Sequence, residues 1–283
     1  MELAIVFAII AMVFWGFGDY LIERATKKVG DLITLSFIGL FGAIILAPKA
    51  IPLLFHISGF DYLILTILGL LQFAFGIVLF EAYRRGKLSV VEVLLQLELP
   101  MTIVFAVTLL KESVRFSTII LVIMILLGTL LLSKVFAIRK SHFEKGWWLA
   151  IVAAVISAIA STMTAFVARD ISPLLSIWFP WTIIGVLPMI FLWKEYDHIL
   201  AKCMTVKGTL LGAAAFDTGA WLAYAYALQG TNLSLVAGIA AGYCAIAAVL
   251  GFWLNNERLT KWQTIGAIIT IAASIILATL ISS

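Results

Sequence analysis

Long hydrophobic segments with almost no charge alternate with short polar connections along the whole chain. An α-helix needs about 20 apolar residues to cross a hydrocarbon core of roughly 30 Å. Ten segments meet this requirement, and they cover residues 3–22, 32–48, 62–82, 88–110, 116–136, 147–168, 173–193, 208–228, 233–254 and 262–281. The pattern therefore predicts an all-α integral membrane protein with ten transmembrane helices.

The composition agrees with this pattern. Of the 283 residues, 64% are hydrophobic and 12% are charged, against about 45–50% and about 25% in soluble domains. A surface facing water needs more charge, so a soluble domain is excluded, and the many aliphatic and aromatic residues exclude a disordered chain. The net charge of +4 does not indicate nucleic acid, because membrane proteins collect Lys and Arg on cytoplasmic loops. The expected partners are the lipid bilayer of the plasma membrane and a small-molecule substrate, with the protein a monomer or homodimer.

The basic residues are unevenly divided between the connections. The odd-numbered connections hold 15 of the 19 Lys and Arg residues. Because positive charge marks cytoplasmic loops, the odd connections are predicted to be cytoplasmic, which places both chain ends outside.

An internal repeat relates the two halves of the chain. A shift of 145 residues aligns Ser89 with Ser234 and Glu112 with Glu257 without a gap. Each copy has five spans, an odd number, so the second copy enters the membrane from the opposite side. Such inverted repeats are typical of transporters whose substrate site lies near the midplane between the halves. The predicted halves are residues 1–141 and 142–283.

Several short motifs fall at corresponding places in this frame. They are Phe14-Trp15-Gly16 in span 1, Leu88-Ser89 at the start of span 4, Pro100 within it, Glu112 after it, and Glu257-Arg258-Leu259-Thr260-Lys261-Trp262-Gln263 with Gly266. Together they resemble the EamA-type branch of the drug/metabolite transporter superfamily over the whole chain. The resemblance implies a ten-helix basket around a central cavity and secondary transport of small metabolites such as amino acids, often as efflux.

Two features depart from the family pattern. Members of this family usually have both termini in the cytoplasm, whereas the distribution of Lys and Arg here predicts the reverse. The second repeat also has Ala245 where the first has Pro100. A break in the helix is therefore expected in the first repeat only.

Two acidic residues lie near the middle of predicted spans. Glu98 is eleven residues into the fourth span and Asp217 is ten residues into the eighth. A charge at the bilayer centre costs about 2.5–3.5 kcal/mol, so such residues usually face a cavity or a proton path. The repeat pairs Glu98 with Tyr243 and Asp217 with Gln72. These four polar side chains are predicted to converge on a substrate site.

Aromatic residues are predicted to orient the substrate at this site. Trp221 and Tyr224 follow Asp217 at helical spacing and share its face. Other deep aromatic residues are Trp15, Trp178 and Trp181. Large rings also fill helix bundles, so packing remains the alternative to ligand contact.

Proton coupling is predicted at Glu98 and Asp217. No basic residue lies at a similar depth, and a medium of low dielectric constant disfavours the charged carboxylate, so a proton is the easiest charge to exchange. Competition between a proton and the cationic amino group of a substrate would couple their movements. The alternative is that both acids are permanently protonated groups that only pack.

Asp19 belongs to a Gly-x-Gly-Asp string at 16–19, which fits the pattern of intramembrane aspartyl proteases. Asp197 follows a tyrosine, as in the second string of those enzymes. The two strings come in the wrong order for the presenilin type, and Asp197 lies in a polar loop away from a buried dyad. Asp19 is instead interpreted as a mouth residue or a helix-end charge facing Arg24 and Lys27.

Four other residues have local interpretations. Pro100 frees the carbonyl of Gln96 from helical hydrogen bonding, which favours a binding role over a simple kink. Glu92 fits either a hydrated mouth or an acid at a helix start. Glu112 and Glu257 are expected to bond exposed N–H groups that begin the next helix, without contacting substrate.

The sequence predicts no cofactor, metal or catalytic residue. The three histidines lie in connections, Cys203 and Cys244 form no CxxC motif, and no Walker A string is present. ATP is therefore not the expected energy source. The alternatives to a transporter are the protease and a channel.

Overall fold

The regular structure is α-helical throughout the part of the chain that the computed structural model describes, which is residues 2–86, 88–132, 147–192, 202–255 and 260–282. The helices, in chain order, are α1 Glu2–Val29, α2 Asp31–Leu54, α3 Gly59–Arg85, α4 Leu88–Leu95, α5 Glu98–Thr108, α6 Phe116–Leu132, α7 Trp147–Asp170, α8 Leu175–Leu192, α9 Lys207–Gly230, α10 Leu233–Ala240, α11 Tyr243–Asn255 and α12 Lys261–Ser282.

Five of the described helices are long and apolar enough to cross a membrane. They are α1, α2, α3, α7 and the part of α12 from Lys261 to Thr279, and α5, α6 and α8 are shorter apolar helices. Many large aliphatic side chains point outward, among them Ile44, Ile45 and Ile268. An exposed apolar surface of this kind is stable only in contact with lipid or a partner. The chain is therefore a multi-pass membrane protein.

Both repeats contain a broken helix, so the expectation of a break in the first repeat only is wrong. Helix α4 ends at Leu95 and α5 begins at Glu98, and α10 ends at Ala240 and α11 begins at Tyr243. These bounds correspond residue for residue under the 145-residue shift.

The physical reason is that neither break requires proline. Pro100 is the third residue of α5, where a helix has no internal partner for the backbone N–H, so proline is tolerated there. Each break instead contains tighter turns. Leu97 N–H donates to the carbonyl of Leu94 and Leu99 N–H to that of Gln96, and in the second repeat Gly242 N–H donates to the carbonyl of Ile239 and Ala245 N–H to that of Gly242. The turn itself does not need glycine, since Leu97 makes the corresponding turn, but Gly242 lets α1 approach the second break because a Cβ there would lie 2.6 Å from Met12 Sδ.

Helices of one half pack mainly on helices of the other half. Helix α1 packs on α9, and α3 packs on α7, which are corresponding pairs under the repeat. The pairs α2 with α8 and α6 with α12 join like helices of the two halves. In the contact of α2 with α8 the backbones approach closely at glycine, since a Cβ on Gly39 would lie 2.3 Å from Gly185 N. This reciprocal pattern is what a two-fold relation between the halves produces.

Glu112 joins the two halves at one end of the bundle. Its carboxylate accepts hydrogen bonds from Leu233 N (2.8 Å), Ser234 N (3.1 Å) and Ser234 Oγ (3.0 Å), and from Arg169 Nη2 at 2.7 Å. The bonded N–H groups thus begin α10 rather than the next helix in sequence, α6. Arg169 also donates to the carbonyl of Leu228 near the end of α9. Glu257, the counterpart of Glu112, lies outside the described residues.

Candidate functional site

A cavity lies where the two broken helices meet α1, α3, α7 and α9. It encloses about 750 Å³ of empty space, including open solvent at its mouth. Gln96 and Ala241, which lie in the two helix breaks, both line it. Irregular backbone at membrane depth is tolerated where it lines a cavity. The breaks therefore place this cavity between the halves.

Six of the nine residues predicted to bind substrate line the cavity. They are Trp15, Glu98, Asp217, Trp221, Tyr224 and Tyr243. They come from α1, α5, α9 and α11, whereas the repeat predicted that Gln72 of α3 would also lie with Glu98, Asp217 and Tyr243.

The other three predicted residues do not line the cavity. Gln72 is buried in α3, and its side-chain nitrogen has no hydrogen-bond partner. Trp178 donates its indole N–H to the carbonyl of Ala43 at 2.8 Å, and Trp181 donates to Thr218 Oγ1 at 3.1 Å. These two tryptophans hold α8 against α2 and α9.

Glu98 has a defined hydrogen-bond partner. It is the first residue of α5, a position where the helix dipole favours a negative charge. Ser161 Oγ on α7 donates to Glu98 Oε1 at 2.8 Å. Ser157, one turn earlier on α7, also lines the cavity. The carboxylate thus lies in a polar recess between α5 and α7.

Asp19 is a third acid of the cavity that sequence reasoning did not assign to the site. It is 8% exposed and lies in the cavity wall. It is not at a helix end, because α1 continues to Val29. Neither expected cation bonds it, since Arg24 donates to Tyr20 Oη at 2.8 Å and Lys27 pairs with Glu23 at 2.5 Å.

A sequence signal for Asp19 did exist. Trp15, Asp19 and Ile22 follow i, i+4 and i+7 spacing on α1, and all three line the cavity. This is the spacing of Asp217, Trp221 and Tyr224 on α9, which lies beside α1. Two helices with matching acid and aromatic faces indicate one shared site.

Asp19 and Asp217 are neighbours across the contact of α1 with α9. A Cβ on Gly18 would lie 3.5 Å from Asp217 N. Glu92 lies behind the cavity wall, buried, and accepts a hydrogen bond from Tyr83 Oη at 2.6 Å. This side of the cavity is strongly acidic.

Aromatic rings form a continuous part of the wall. The Trp15 ring lies 5.1 Å from Trp221, 5.2 Å from Tyr224 and 6.1 Å from Tyr243, between ring centroids. Trp15 and Trp221 meet edge to face at 86°, a favourable aromatic geometry. The face of a ring not used in such contacts can attract a cation.

The charge of the wall is one-sided. The described residues that line the cavity include three acids, Asp19, Glu98 and Asp217. None of these lining residues is Lys, Arg or His. The described residues also contain no group of three or more His, Cys, Asp or Glu placed to hold a metal ion. Asp197, the other half of the protease string, lies outside the described residues.

Two interlocked halves, each with a broken helix at a shared internal cavity, define a membrane transporter with a repeated architecture. The profile of the EamA-like transporter family matches residues 2–134 and 144–279. The chain belongs to this family. A protein of known crystal structure aligns over 98% of both chains with a TM-score of 0.75 at 16% identity, a likeness of fold. No curated protein matches the sequence.

Proposed function

We propose that the protein is a secondary active transporter of a small organic metabolite, an amino acid or a related cationic or zwitterionic solute, working in efflux. The observation that carries the proposal is the cavity between the halves, with its carboxylates, its aromatic wall and no described basic side chain. Family membership supports transport, and the acidic wall supports a solute with an amino group.

Coupling to protons would follow from competition at the cavity acids. Glu98 or Asp217 binds either a proton or the ammonium group of the substrate, because one carboxylate cannot be neutralised by both. Without substrate, the binding site then changes its exposure from one side of the membrane to the other only when the carboxylate is protonated. An unpaired carboxylate is costly in a medium of low dielectric constant. The movement of substrate and proton in opposite directions results.

The membrane arrangement is part of this proposal. Ten spans in two inverted five-helix units would place the cavity near the midplane, and alternating access would move one unit against the other. The corresponding breaks and the reciprocal packing of the halves support this arrangement. We place the protein in the plasma membrane, with both termini outside.

The coupling can be tested by flux in proteoliposomes. Uptake of a labelled amine should saturate, require no ATP and respond to a pH gradient. Glu98→Gln and Asp217→Asn should reduce this response by about tenfold or more, because the amide cannot exchange a proton. Asp170→Asn is the matched control, since Asp170 is exposed at the end of α7.

Three outcomes decide between the interpretations. Normal transport and normal pH dependence in both amide variants would mean that the acids are packing groups, and would overturn the coupling. Fast current without saturation would favour a channel. Peptide cleavage that is lost in Asp19→Asn would favour a protease. The second aspartate of the protease pattern, Asp197, lies outside the described residues.

A further inference from the structure

The number and placement of carboxylates in the cavity bear on the charge of the substrate. We propose that the preferred substrate is a small dication, a short aliphatic diamine, held with one ammonium group at Asp19 and Asp217 and the other at Glu98. This inference rests on the proposed transport function and narrows its substrate class.

Two separate acidic positions exist in the one cavity. Asp19 and Asp217 both lie on the wall formed by α1 and α9, where a Cβ added to Gly18 would be 3.5 Å from Asp217 N. Glu98 belongs to the wall formed by α5 and α7, where Ser161 bonds it. A single ammonium group bound at one position leaves the other carboxylate unpaired in a buried site, which is costly. Two linked ammonium groups place one positive charge at each of the two positions.

The surface between the acidic positions suits an aliphatic chain. Trp15, Trp221 and Tyr224 contact one another and line the cavity. Aromatic rings cover methylene groups well, and they attract an adjacent ammonium group through their faces. The ligand predicted here is therefore apolar in its middle and charged at both ends.

One polar group beside the wall has no hydrogen-bond partner among the described residues. Thr102 is fully buried, lines the cavity, and its hydroxyl has no hydrogen-bond partner. It lies one turn after Glu98 on α5. A buried hydroxyl without a partner loses its hydration uncompensated, so a ligand N–H that bonds it recovers this loss. Thr102 and Glu98 together can accept two N–H bonds of one ammonium group.

A carboxylate on the ligand would have no partner. An amino acid brings a negative charge into a wall that contains three acids and, among the described residues, no Lys, Arg or His. The like charges repel, and repulsion between buried charges is a strong determinant of specificity. The cavity therefore selects against zwitterions as well as for dications.

Three amines that differ by one group each provide the test. Binding of n-butylamine, putrescine and ornithine to the purified full-length protein in detergent is measured by calorimetry. They carry one ammonium group, two ammonium groups, and two ammonium groups with a carboxylate. Putrescine should bind more tightly than either of the others by a factor of about 30 or more. The n-butylamine complex lacks one ion pair, and the carboxylate of ornithine is repelled by the acids of the wall.

Variants locate the two positions. Glu98→Gln and Asp19→Asn should each lower the preference for putrescine over n-butylamine, because each removes a carboxylate from one of the two positions. Asp170→Asn, on the exposed end of α7, should retain the full preference. Unfolding temperatures of all variants separate loss of the fold from loss of selectivity.

The possible results distinguish this inference from the function on which it rests. Equal binding of putrescine and n-butylamine, or binding of ornithine as tight as that of putrescine, overturns the dication inference and leaves an amine transporter. A folded protein that binds none of the three overturns both. Selectivity that survives both Glu98→Gln and Asp19→Asn shows that the ammonium groups bind elsewhere.

Discussion

At the scale of single residues, the Glu112 side chain makes several hydrogen bonds that join the two halves. Its carboxylate accepts from two backbone N–H groups at the start of α10, from Ser234 Oγ and from Arg169. Its side chain is 4% exposed, so water does not easily replace these partners. The anion at this helix start is also favoured by the helix dipole.

The variant Glu112→Gln should lower the free energy of unfolding by about 1.5–3 kcal/mol, because an amide has one acceptor oxygen and no charge for Arg169. The measurement is thermal unfolding in detergent. Asp170→Asn is the control, because Asp170 is exposed and follows Arg169 directly in sequence. A Glu112→Gln protein as stable as the control would show that the contact contributes nothing to folding.

At the residue scale, the sequence drew attention to side chains whose chemistry contrasts with their surroundings. Glu98 and Asp217 could be recognised because each interrupts an apolar run, and both lie in the cavity wall. Asp19 was harder to recognise because the charged residues after it resemble a loop, although α1 continues through them to Val29. A helix can extend beyond the apolar segment of its sequence, and hydropathy alone does not show where its hydrogen bonds end.

At the scale of helices, the positions of the helix breaks depend on tertiary packing, which a local sequence pattern does not show. The apolar runs predicted where the helices lie. The break at 241–242 was missed because an isolated glycine such as Gly242 is often tolerated within an apolar helix, and the presence of Pro100 in the first repeat alone suggested a one-sided break. Gly242 is needed where α1 and α12 approach closely, since a Cβ there would meet Met12 Sδ at 2.6 Å and Ser274 Oγ at 2.9 Å. Such tertiary contacts are invisible in a local pattern.

The contact of α2 with α8 provides a direct test of helix packing. Gly39→Ala places a methyl group against the backbone of Gly185, within 2.3 Å of its nitrogen. Backbone cannot rotate away as a side chain does, so the helices must separate. We expect a loss of about 1–3 kcal/mol in the free energy of unfolding, measured by chemical denaturation in micelles. Gly59→Ala is the control, because nothing lies within 4 Å of its added Cβ, and it should be tolerated.

At the scale of the whole molecule, the proposed orientation follows from charge alone. Fifteen of the 19 basic residues lie in odd-numbered connections, which the positive-inside rule assigns to the cytoplasm. A reporter fused to the C-terminus should therefore be active if it works outside the cytoplasm and silent if it works within. The opposite result would reverse the orientation without affecting the two repeats, whereas ends on opposite sides would be incompatible with ten spans.

The matched helix breaks have a consequence for how charge can be distributed near the centre of such a molecule. Glu98 and Tyr243 are both the first residue after a break. In an assembly of two identical five-helix chains, rotational symmetry would force the same residue into both places, and a glutamate would then always come with a second glutamate. Joining the two units in one chain removes this constraint. A fused protein can hold a single carboxylate opposite a phenol, an odd number of charges that no homodimer can achieve.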